Sequence, residues 1–407
     1  MSLITVKTSL QAFLKGLALP KGTPLAIGVS GGVDSLTLAL LMQEVCQKKY
    51  PLYAFIVDHG LRAVAHAEAV QTKKTLENYH IPADILVWTG PKPKTKIEEV
   101  AREKRYQLLE EACAKKGIHH LFLAHHAGDQ AETFLSRLSH ASSLEGLKGM
   151  QAICSYQTLT LCRPFLTIEK KDIIEMAQEL HLSWAEDEMN QDRHYERVRW
   201  RKLLPTLAPY GLTVDKITTS MGRLELAEEA LKFYRDVFIR RWVIVSPLGY
   251  LMVPKKAYQD LPMMSRIKFL QWAIKIIGQP KTPPSFKALE DRAMHLQGPL
   301  GECQFYVKQN KLYVAKETAK MSRPVSVPAE TWVVWDRFHV WSPTPAVIQA
   351  GPSKNKGNKE LPVAILKTLP VLKDKKGLEI PVQFHYNKGD RRACVCFSGL
   401  KEGCYEI

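Results

Sequence analysis

Short apolar runs alternate with longer amphipathic stretches along the first half of this chain. Runs rich in branched residues and bounded by turn residues are typical of buried β-strands. They lie at 24–29, 52–57, 84–88, 119–124 and 157–165. Apolar residues at helical spacing predict helices at 36–43, 66–79, 97–116, from near 129, and 168–180. Strands that alternate with helices build a parallel sheet covered on both faces, so this half predicts an α/β domain.

Polar clusters follow three of these predicted strands. They lie at Ser30–Ser35, Asp58–Arg62 and His125–Glu132. In parallel sheets, ligands sit beyond the carboxyl ends of the strands. We therefore expect the three clusters to meet in one crevice, whatever the order of the strands.

The second half of the chain has a different texture. Pro205 and the Pro209–Gly211 turn mark a boundary. Helices are predicted beyond it at 221–242, 264–277 and 285–296, and short strands at 303–315 and 331–341. These patterns predict three domains: a catalytic domain over 1–205, a small helical domain over 206–297, and a small α+β or mainly β domain over 298–407.

Basic residues outnumber acidic residues in this chain of 407 residues. Lys and Arg number 57 against 41 Asp and Glu, which gives a net charge of +16 and a pI near 9.3. A surplus of this size favours an anionic polymer as partner. Combined with a nucleotide-phosphate loop, it favours RNA or DNA.

The composition also predicts a compartment. The sequence contains no stretch of about twenty apolar residues, which predicts no membrane span and no membrane partner. The start of the chain lacks the basic segment and apolar run of a signal peptide. The eight cysteines form no Cys-x-x-Cys pair and no usual zinc set. Reduced thiols in a cytoplasmic protein are the expectation.

The segment Ser30-Gly31-Gly32-Val33-Asp34-Ser35 joins the first predicted strand to a predicted helix. Its glycines let the backbone approach a ligand, and amides at a helix start attract anions. The Walker loop is excluded because the chain contains no Gly-Lys dipeptide. The segment resembles the PP-loop of ATP pyrophosphatases, which split ATP into AMP and pyrophosphate. That resemblance implies that the six residues bind ATP and that Asp34 is a Mg²⁺ ligand; an N-terminal helix cap is the alternative for Asp34.

Further patterns follow the loop in one order. They are VDHGLR at 57–62, AREKRY at 101–106, HHAGDQAET at 125–133, RPFL at 163–166, WAED at 184–187 with Asn190, and the segment 195–201. Together they resemble the tRNA(Ile)-lysidine synthetase family, strongly over the first half of the chain and more weakly over the second. The resemblance implies an N-terminal PP-loop domain of the adenine nucleotide alpha hydrolase-like, Rossmann-like class, followed by accessory domains that bind tRNA.

The resemblance also implies a reaction. Members of this family use ATP, with Mg²⁺, and free L-lysine to convert the wobble cytidine of a tRNA(Ile) with a CAU anticodon into lysidine, through an adenylated cytidine. Codon reading then changes from AUG to AUA. The expected activity is a ligase that forms a carbon–nitrogen bond, and the expected partners are tRNA(Ile) and lysine. Whether the chain forms a homodimer stays open.

Positions that match the family's patterns carry expected roles. Asp58, His59 and Arg62 would bind ATP or the RNA base, with a capping or salt-bridge role as the alternative for Asp58 and Arg62. Arg102 and Arg105 lie three apart on a predicted helix and so share a face. They would clamp phosphate or the tRNA backbone, and a solvated basic face is the alternative.

Two carboxylates and two arginines complete the expected catalytic set. Asp129 and Glu132 share a helix face, and the resemblance implies that they bind the ammonium groups of lysine, one of them or a water that it holds accepting a proton. Acidic partners of a helix dipole are the alternative. Arg197 and Arg201 share a face beside Trp200, which suits phosphate contacts with base stacking; a solvated linker helix is the alternative.

The chain departs from the family's usual residues at several positions. Gly128 replaces the first of two aspartates, Glu188 and Met189 replace a Pro-Ser pair, Val198 replaces an asparagine, and 139–143 lacks the usual glycines. Two other functions therefore stay open: another PP-loop tRNA-modifying enzyme, and a tRNA-binding homologue with weakened catalysis. The lack of Cys-x-x-Cys pairs argues against a thiolating member.

Overall fold

The computed structural model describes residues 2–46, 49–60, 64–90, 92, 97–184, 196–351, 362–380 and 394–398. The chain divides into two compact units, Met1–Glu225 (unit 1) and Leu226–Ile407 (unit 2), and the division falls within one helix, α9. The helices are α1 Leu3–Gly16, α2 Val33–Cys46, α3 Ala65–Asn78, α4 Ile97–Lys115, α5 Ala127–Ser139, α6 Leu144–Leu147, α7 Lys170–Glu179, α8 Glu196–Leu207, α9 Val214–Trp242, α10 Lys255–Gln259, α11 Met263–Ala273, α12 Phe286–Met294 and α13 Val363–Leu366.

The strands of unit 1 are β1 Leu25–Val29, β2 Leu52–Asp58, β3 Ala83–Val87, β4 His120–Phe122, β5 Ile153–Tyr156 and β6 Leu159–Cys162. The strands of unit 2 are β7 Ile244–Ser246, β8 Tyr250–Pro254, β9 Gly298–Leu300, β10 Cys303–Lys308, β11 Lys311–Lys316, β12 Val325–Val327, β13 Val333–Trp335, β14 Phe338–Trp341, β15 Ala346–Ala350, β16 Pro370–Lys373 and β17 Cys394–Phe397.

The sheet of unit 1 confirms the predicted parallel α/β architecture. Its strand order is β3-β2-β1-β4-β6-β5, and all neighbours pair in parallel except β5, which runs antiparallel to β6. The antiparallel edge strand has no counterpart among the predicted strands. From β1 the chain builds one side of the sheet through β2 and β3, and then the other side from β4. The topological switch point, where such sheets bind ligands, therefore lies between β1 and β4.

Helices cover this sheet on both faces, which explains why its central strand is apolar throughout. All five residues of β1 are buried. One face packs against α1, α2, α3 and α7, with Leu10, Leu38 and Ile173 in that core. The other face packs against α4 through Tyr106 and Leu109. Burial on both faces removes the alternation of polar and apolar residues and leaves continuous apolar runs.

Unit 2 is built mainly from antiparallel strands. A five-stranded sheet has the order β7-β8-β11-β10-β9, and two three-stranded sheets follow, β12-β15-β16 and β13-β14-β17. Its core contains side chains of α11, including Phe269, together with Leu312 and Phe338 from the strands. Strands from both sides of residue 298 pair within the five-stranded sheet. The division into three domains with limits at 205 and 297 stays a prediction.

None of the helices among the described residues combines the length and the apolar character that crossing a bilayer requires.

Candidate active site

The loop after β1 is closed by its own hydroxyl groups. The Ser35 hydroxyl donates to the Gly32 carbonyl (3.1 Å) and accepts from the Ser30 amide (3.1 Å). Gly31 has a φ of +86°, and a Cβ atom there would lie 2.6 Å from Thr72 Oγ1, so a side chain would be strained and would clash. The loop therefore makes a narrow turn directly before the first amides of α2, which is where an anion binds.

Asp34 lies in the first turn of α2 and forms an ion pair with Lys170. The Lys170 ammonium donates to both carboxylate oxygens, Oδ1 at 2.6 Å and Oδ2 at 2.7 Å. The Asp34 side chain is 28% exposed and the Lys170 side chain is 42% exposed. A partly exposed pair of this kind contributes at most about 1 kcal/mol to stability. The ammonium thus places a positive charge beside the loop. Because the pair is weak, Lys170 can leave Asp34 for another anion at little cost in free energy.

The donor set around Asp34 fits a cation that is shared with phosphate. Among the residues that the structure describes, no group of three or more His, Cys, Asp or Glu could hold a metal ion alone. Mg²⁺ is usually held by one or two carboxylates together with substrate phosphates and water. One carboxylate beside an anion-binding turn meets that requirement.

Four further predicted residues form one ion-pair network between α5 and α8. Arg197 donates from Nη2 to Asp129 (3.1 Å) and from Nε to Glu132 (3.3 Å). Arg201 Nε donates to the other oxygen of Glu132 (2.6 Å). Glu132 is almost fully buried, whereas the side chains of Arg197 and Arg201 are 34% and 43% exposed. The i, i+4 spacing on α8 and the i, i+3 spacing on α5 bring the two pairs face to face.

The charges of this network shift the pKa values of its members. Burial alone would raise the pKa of Asp129, but the nearby His126 and Arg197 side chains, and the His126 amide that donates to its carboxylate, hold the pKa below its usual range. Burial would lower the pKa of Arg201, but Glu132, and to a smaller extent Asp129 and Asp34, raise it. The Ala127 amide at the start of α5 donates to the Ile168 carbonyl (2.9 Å), two residues before Lys170, so the α5–α8 network begins next to the segment that pairs with Asp34.

The end of β2 supplies a second predicted cluster, and its carboxylate is engaged within its own turn. Asp58 is buried, accepts from the Gly60 amide (2.9 Å) and lies 3.0 Å from His66 Nδ1. The His59 ring packs edge-on against Trp88. The pKa of His59 is lowered, first by burial and then by nearby positive charges including Arg105. Arg62 lies outside the described residues.

The predicted pair on α4 divides into an exposed and a half-buried arginine. Arg102 is exposed and lies over the Tyr106 ring (5.3 Å). Arg105 is half-buried, and its Nη2 lies 3.8 Å from where a Cβ of Gly28 in β1 would be. Burial lowers the pKa of Arg105, as the charge of Arg102 also does. Of the two, Arg105 is therefore closer to the switch point.

His125 lies at the end of β4, beside this arginine. Its pKa is lowered to about 3, first by burial and then by the charges of Arg105 and Arg163, against the opposing charge of Asp129. Its Nδ1 is buried with no hydrogen-bond partner among the described residues. His125 is therefore neutral at physiological pH, and the arginines dominate the charge around it.

One of the departures from the family's usual residues, Gly128, has a local structural cause. At the start of α5, the His126 ring accepts from the Gly128 amide (3.0 Å), and a Cβ at residue 128 would lie 2.7 Å from His126 Cε1. A side chain at residue 128 would therefore displace the histidine that caps α5. Val198 is buried. The departures at Glu188 and Met189, and Asn190 with them, lie outside the described residues.

Lys170 is a site residue without a predicted role. It begins α7, shortly after β6, and the carboxyl end of β6 lies at the same edge of the sheet as that of β1. Three residues, 167–169, separate it from the RPFL pattern at 163–166. A basic residue soon after the last parallel strand is the signal that could have found it.

Known proteins resemble this chain over most of its length. Residues 3–207 match the family model of the PP-loop domain. The chain is 30% identical over 332 residues to a tRNA(Ile)-lysidine synthase of Wolbachia sp. subsp. Brugia malayi (strain TRS), which covers 76% of this chain and 75% of that protein. It is 34% identical over 284 residues to the tRNA(Ile)-lysidine synthase of Bradyrhizobium diazoefficiens, which covers 68% of this chain and 78% of that one.

Among solved structures, the U34-tRNA thiolase NcsA from Methanococcus maripaludis aligns with 55% of this chain and 78% of its own, at 18% identity and a TM-score of 0.48. The PP-loop domain model matches the whole of the predicted catalytic domain after its first two residues. The sequence matches extend beyond that domain. The chain therefore belongs to the tRNA(Ile)-lysidine synthase family.

Proposed function

We propose that this chain joins free L-lysine to C2 of the wobble cytidine of a tRNA(Ile) with a CAU anticodon, using ATP. The observation that carries the proposal is the charged site at the switch point. It combines an anion-binding loop, a carboxylate beside that loop, and a mixed-charge network that begins next to the segment pairing with that carboxylate. The loop and the carboxylate suit a nucleoside triphosphate and its metal, and the network suits an amino acid.

ATP would bind at the loop after β1. The amides of Gly31 and Gly32 and the hydroxyls of Ser30 and Ser35 suit its phosphates. We propose that Asp34 holds Mg²⁺, which would neutralise charge on the phosphates, and that Lys170 turns from Asp34 to a phosphate oxygen when the nucleotide binds. His59 and Arg105 would lie at the nucleotide as well.

Lysine would bind at the α5–α8 network, because a zwitterion matches two carboxylates and two guanidinium groups. The α-carboxylate of lysine would pair with Arg197 and Arg201, and its α-ammonium group with Asp129 or Glu132. The side-chain amine is then left to react. The lowered pKa of Asp129 suits it to hold an ammonium group rather than to take a proton at neutral pH.

The reaction has two steps. Cytosine O2 attacks the α-phosphorus of ATP, so that the O2–P bond forms and pyrophosphate leaves. The side-chain amine of lysine then attacks C2, the C2–O2 bond breaks and AMP leaves. The proton of the amine passes to Glu132 or to a water that a carboxylate of the network holds. The protein's part is to place the two reactants and to neutralise the phosphates.

The remaining features support a tRNA substrate. The net charge of +16 favours a polyanion. The antiparallel sheets of unit 2 would contact the tRNA outside the anticodon. A cytoplasmic location is part of the same proposal, and whether the chain forms a homodimer stays open.

The experiment is incorporation of radiolabelled lysine into purified tRNA(Ile) with a CAU anticodon, in the presence of ATP and Mg²⁺. Elongator tRNA(Met) is the matched RNA, and Asp34→Asn is the matched protein. Label in tRNA(Ile) alone, lost in Asp34→Asn, is the expected result. Pyrophosphate release that depends on tRNA but transfers no lysine would indicate another PP-loop tRNA-modifying enzyme. Neither signal would indicate a tRNA-binding homologue.

A further inference from the structure

Helix α8 has a second face that the network does not use. Residues at positions i, i+3, i+4 and i+7 of this helix lie on one face, beside Arg197 and Arg201. Together with the end of α5 they line a pocket of about 370 Å³, here called the α5–α8 pocket. Its lining residues are Ser139, His140, Glu196, Arg199, Trp200 and Leu203. The volume falls in the range of sites that hold small ligands.

One wall of the pocket is apolar and fixed in orientation. The Trp200 indole N–H donates to Glu196 Oε1 (3.1 Å), and the Ser136 hydroxyl donates to the same oxygen (2.9 Å). These two bonds, together with packing of the ring against its neighbours, set the plane of the indole. Leu203 adds an aliphatic surface that is 39% exposed.

The other groups of the pocket are charged or polar. Hydrogen bonds, first that from Trp200, lower the pKa of Glu196, so that it is a carboxylate at neutral pH. Both bonds use Oε1, which leaves Oε2 as the acceptor for a ligand. Arg199 is exposed. His140 donates from Nδ1 to the Ser136 carbonyl (2.7 Å), which leaves Nε2 for a ligand.

We propose that the α5–α8 pocket binds one unstacked nucleotide of the RNA substrate, with its base on Trp200, its amino group at Glu196 and its phosphate at Arg199. Aromatic side chains stack on unpaired bases. Carboxylates accept from exocyclic amino groups such as that of cytosine, and guanidinium groups bind phosphate. The inference rests on the proposed function in two respects, namely that the substrate is RNA and that its reacting cytidine lies at the α5–α8 network.

The position of the pocket identifies the nucleotide as a close neighbour of the reacting cytidine. Ser136, which holds Glu196, lies four residues beyond Glu132 on α5, about 6 Å along the helix axis. Arg197 and Arg201 of α8 lie on the adjoining face. A base in this pocket therefore comes from the anticodon loop rather than from a distant stem.

The test is a set of binding measurements with the full chain. A fluorescent RNA stem–loop with a CAU loop is titrated against the wild type, Trp200→Leu and Trp200→Phe, and then replaced by versions with one abasic nucleotide at each loop position. Trp200→Leu should weaken binding of the intact RNA about 5- to 150-fold, the effect of losing one stacked base. Trp200→Phe should retain most of the affinity because its ring still stacks.

Combining Trp200→Leu with each abasic RNA tests whether one base stacks on Trp200. At one loop position next to the cytidine, the abasic RNA should bind weakly to the wild type and lose nothing more with Trp200→Leu. Losses that multiply at every position, or equal losses for Phe and Leu, would overturn the proposal. Arg199→Ala should reduce the salt dependence of binding, whereas Arg223→Ala, an equal change of charge on an exposed residue of α9, should reduce it less.

These results separate the pocket from the reaction. Binding is measured without ATP or lysine, so coupling at Trp200 in a chain that never incorporates lysine would sustain the pocket and reject the proposed function. Lysine incorporation by the wild type, together with losses from Trp200→Leu and from the abasic nucleotide that multiply at every position, would sustain the proposed function and reject the pocket. A fluorescence change of Trp200 on adding lysine alone, absent from Trp200→Phe and without coupling to any base, would assign the pocket to the amino acid and overturn our inference.

Discussion

Each unit of this protein contains buried carboxylates paired with cations, but the two sets differ in their access to solvent. In unit 1 the carboxylate of Glu132 is 2% exposed, while the Arg197 and Arg201 side chains that bind it are 34% and 43% exposed. In unit 2 the Lys268 ammonium lies 2.9 Å from Glu228, and their side chains are 5% and 1% exposed. Only the first set can take on the charges of a ligand.

A second pair in unit 2 follows the same rule as the first. Arg337 and Asp336 are joined at 2.8 Å, and both side chains are 1% exposed or less. Burial would raise the pKa of Asp336, but the charges of Arg337 and Lys316 outweigh it and lower the pKa. In a pair that is buried on both sides, each charge is neutralised by its partner and neither is accessible to a substrate. The contrast separates charges that maintain the fold from charges that can bind.

The largest effect is expected from breaking the buried pair of Lys268 and Glu228. Lys268→Ala leaves the Glu228 carboxylate buried without its cation, which should lower the free energy of unfolding by about 3–5 kcal/mol. Urea denaturation followed by circular dichroism measures the change. The double variant Lys268→Met with Glu228→Leu should recover most of it, because well-packed apolar residues can replace a buried pair. A loss below about 1 kcal/mol in the single variant would contradict the distinction between the two sets.

The next effect concerns the accessible carboxylate beside the loop. Asp34→Asn should reduce tRNA-dependent pyrophosphate release about 100- to 1000-fold, as expected for loss of one group that stabilises developing charge. Its stability should change by about 1 kcal/mol or less, because the pair with Lys170 is partly exposed. Initial rates and urea denaturation give the two numbers. Glu228→Gln is the matched change in unit 2, and the opposite pattern is expected there.

A smaller effect is expected at the turn of the loop. Gly31→Ala places a side chain at a φ of +86°, which costs about 1–2 kcal/mol, and sets its Cβ against Thr72. Thr72→Ala in the same chain should relieve the clash but not the backbone strain. Gly32→Ala is the control, because its Cβ would meet nothing closer than 3.7 Å. Thermal unfolding that is equally affected by both single changes would refute the close approach.

The smallest effect is a dependence of stability on pH. His125 takes up a proton near pH 6.5 when unfolded and near pH 3 when folded, so its stabilising contribution is complete above pH 6.5 and declines as the pH falls towards 3. About 1 kcal/mol should be lost by pH 5.5. Asp129 and Asp336, whose pKa values are lowered, lose their contributions only below about pH 4.

His125→Asn should flatten the curve of unfolding free energy between pH 6.5 and 4.5. Equal slopes in wild type and His125→Asn would contradict the burial of a neutral imidazole.

Local patterns predicted the parts of this molecule that depend on neighbouring residues. The strand–loop–helix unit around Ser30–Ser35 and the shared faces of Asp129 with Glu132 and of Arg197 with Arg201 follow from spacing alone. The parallel sheet follows from alternation, because its buried strands have continuous apolar runs. The roles of these residues in catalysis stay predictions that the experiments above address.

The remaining features depend on contacts between distant segments. Lys170 reaches Asp34 across 136 positions, and that contact depends on the order of the strands, which spacing does not encode. The short strands β5, β7 and β8 carry too few residues for a clear alternation. Helix α9 begins at Val214 rather than at the predicted Met221, because Ile217 and Met221 pack on α5 and α8 and extend it.

The hydroxyl of Ser35 has a consequence for how tightly a nucleotide binds. Because it already ties the ends of the loop together, the loop loses little conformational entropy when a phosphate arrives. The loop is then a rigid receptor for phosphate, and Ser35→Ala should lower its affinity in part through an entropy change that calorimetry can resolve.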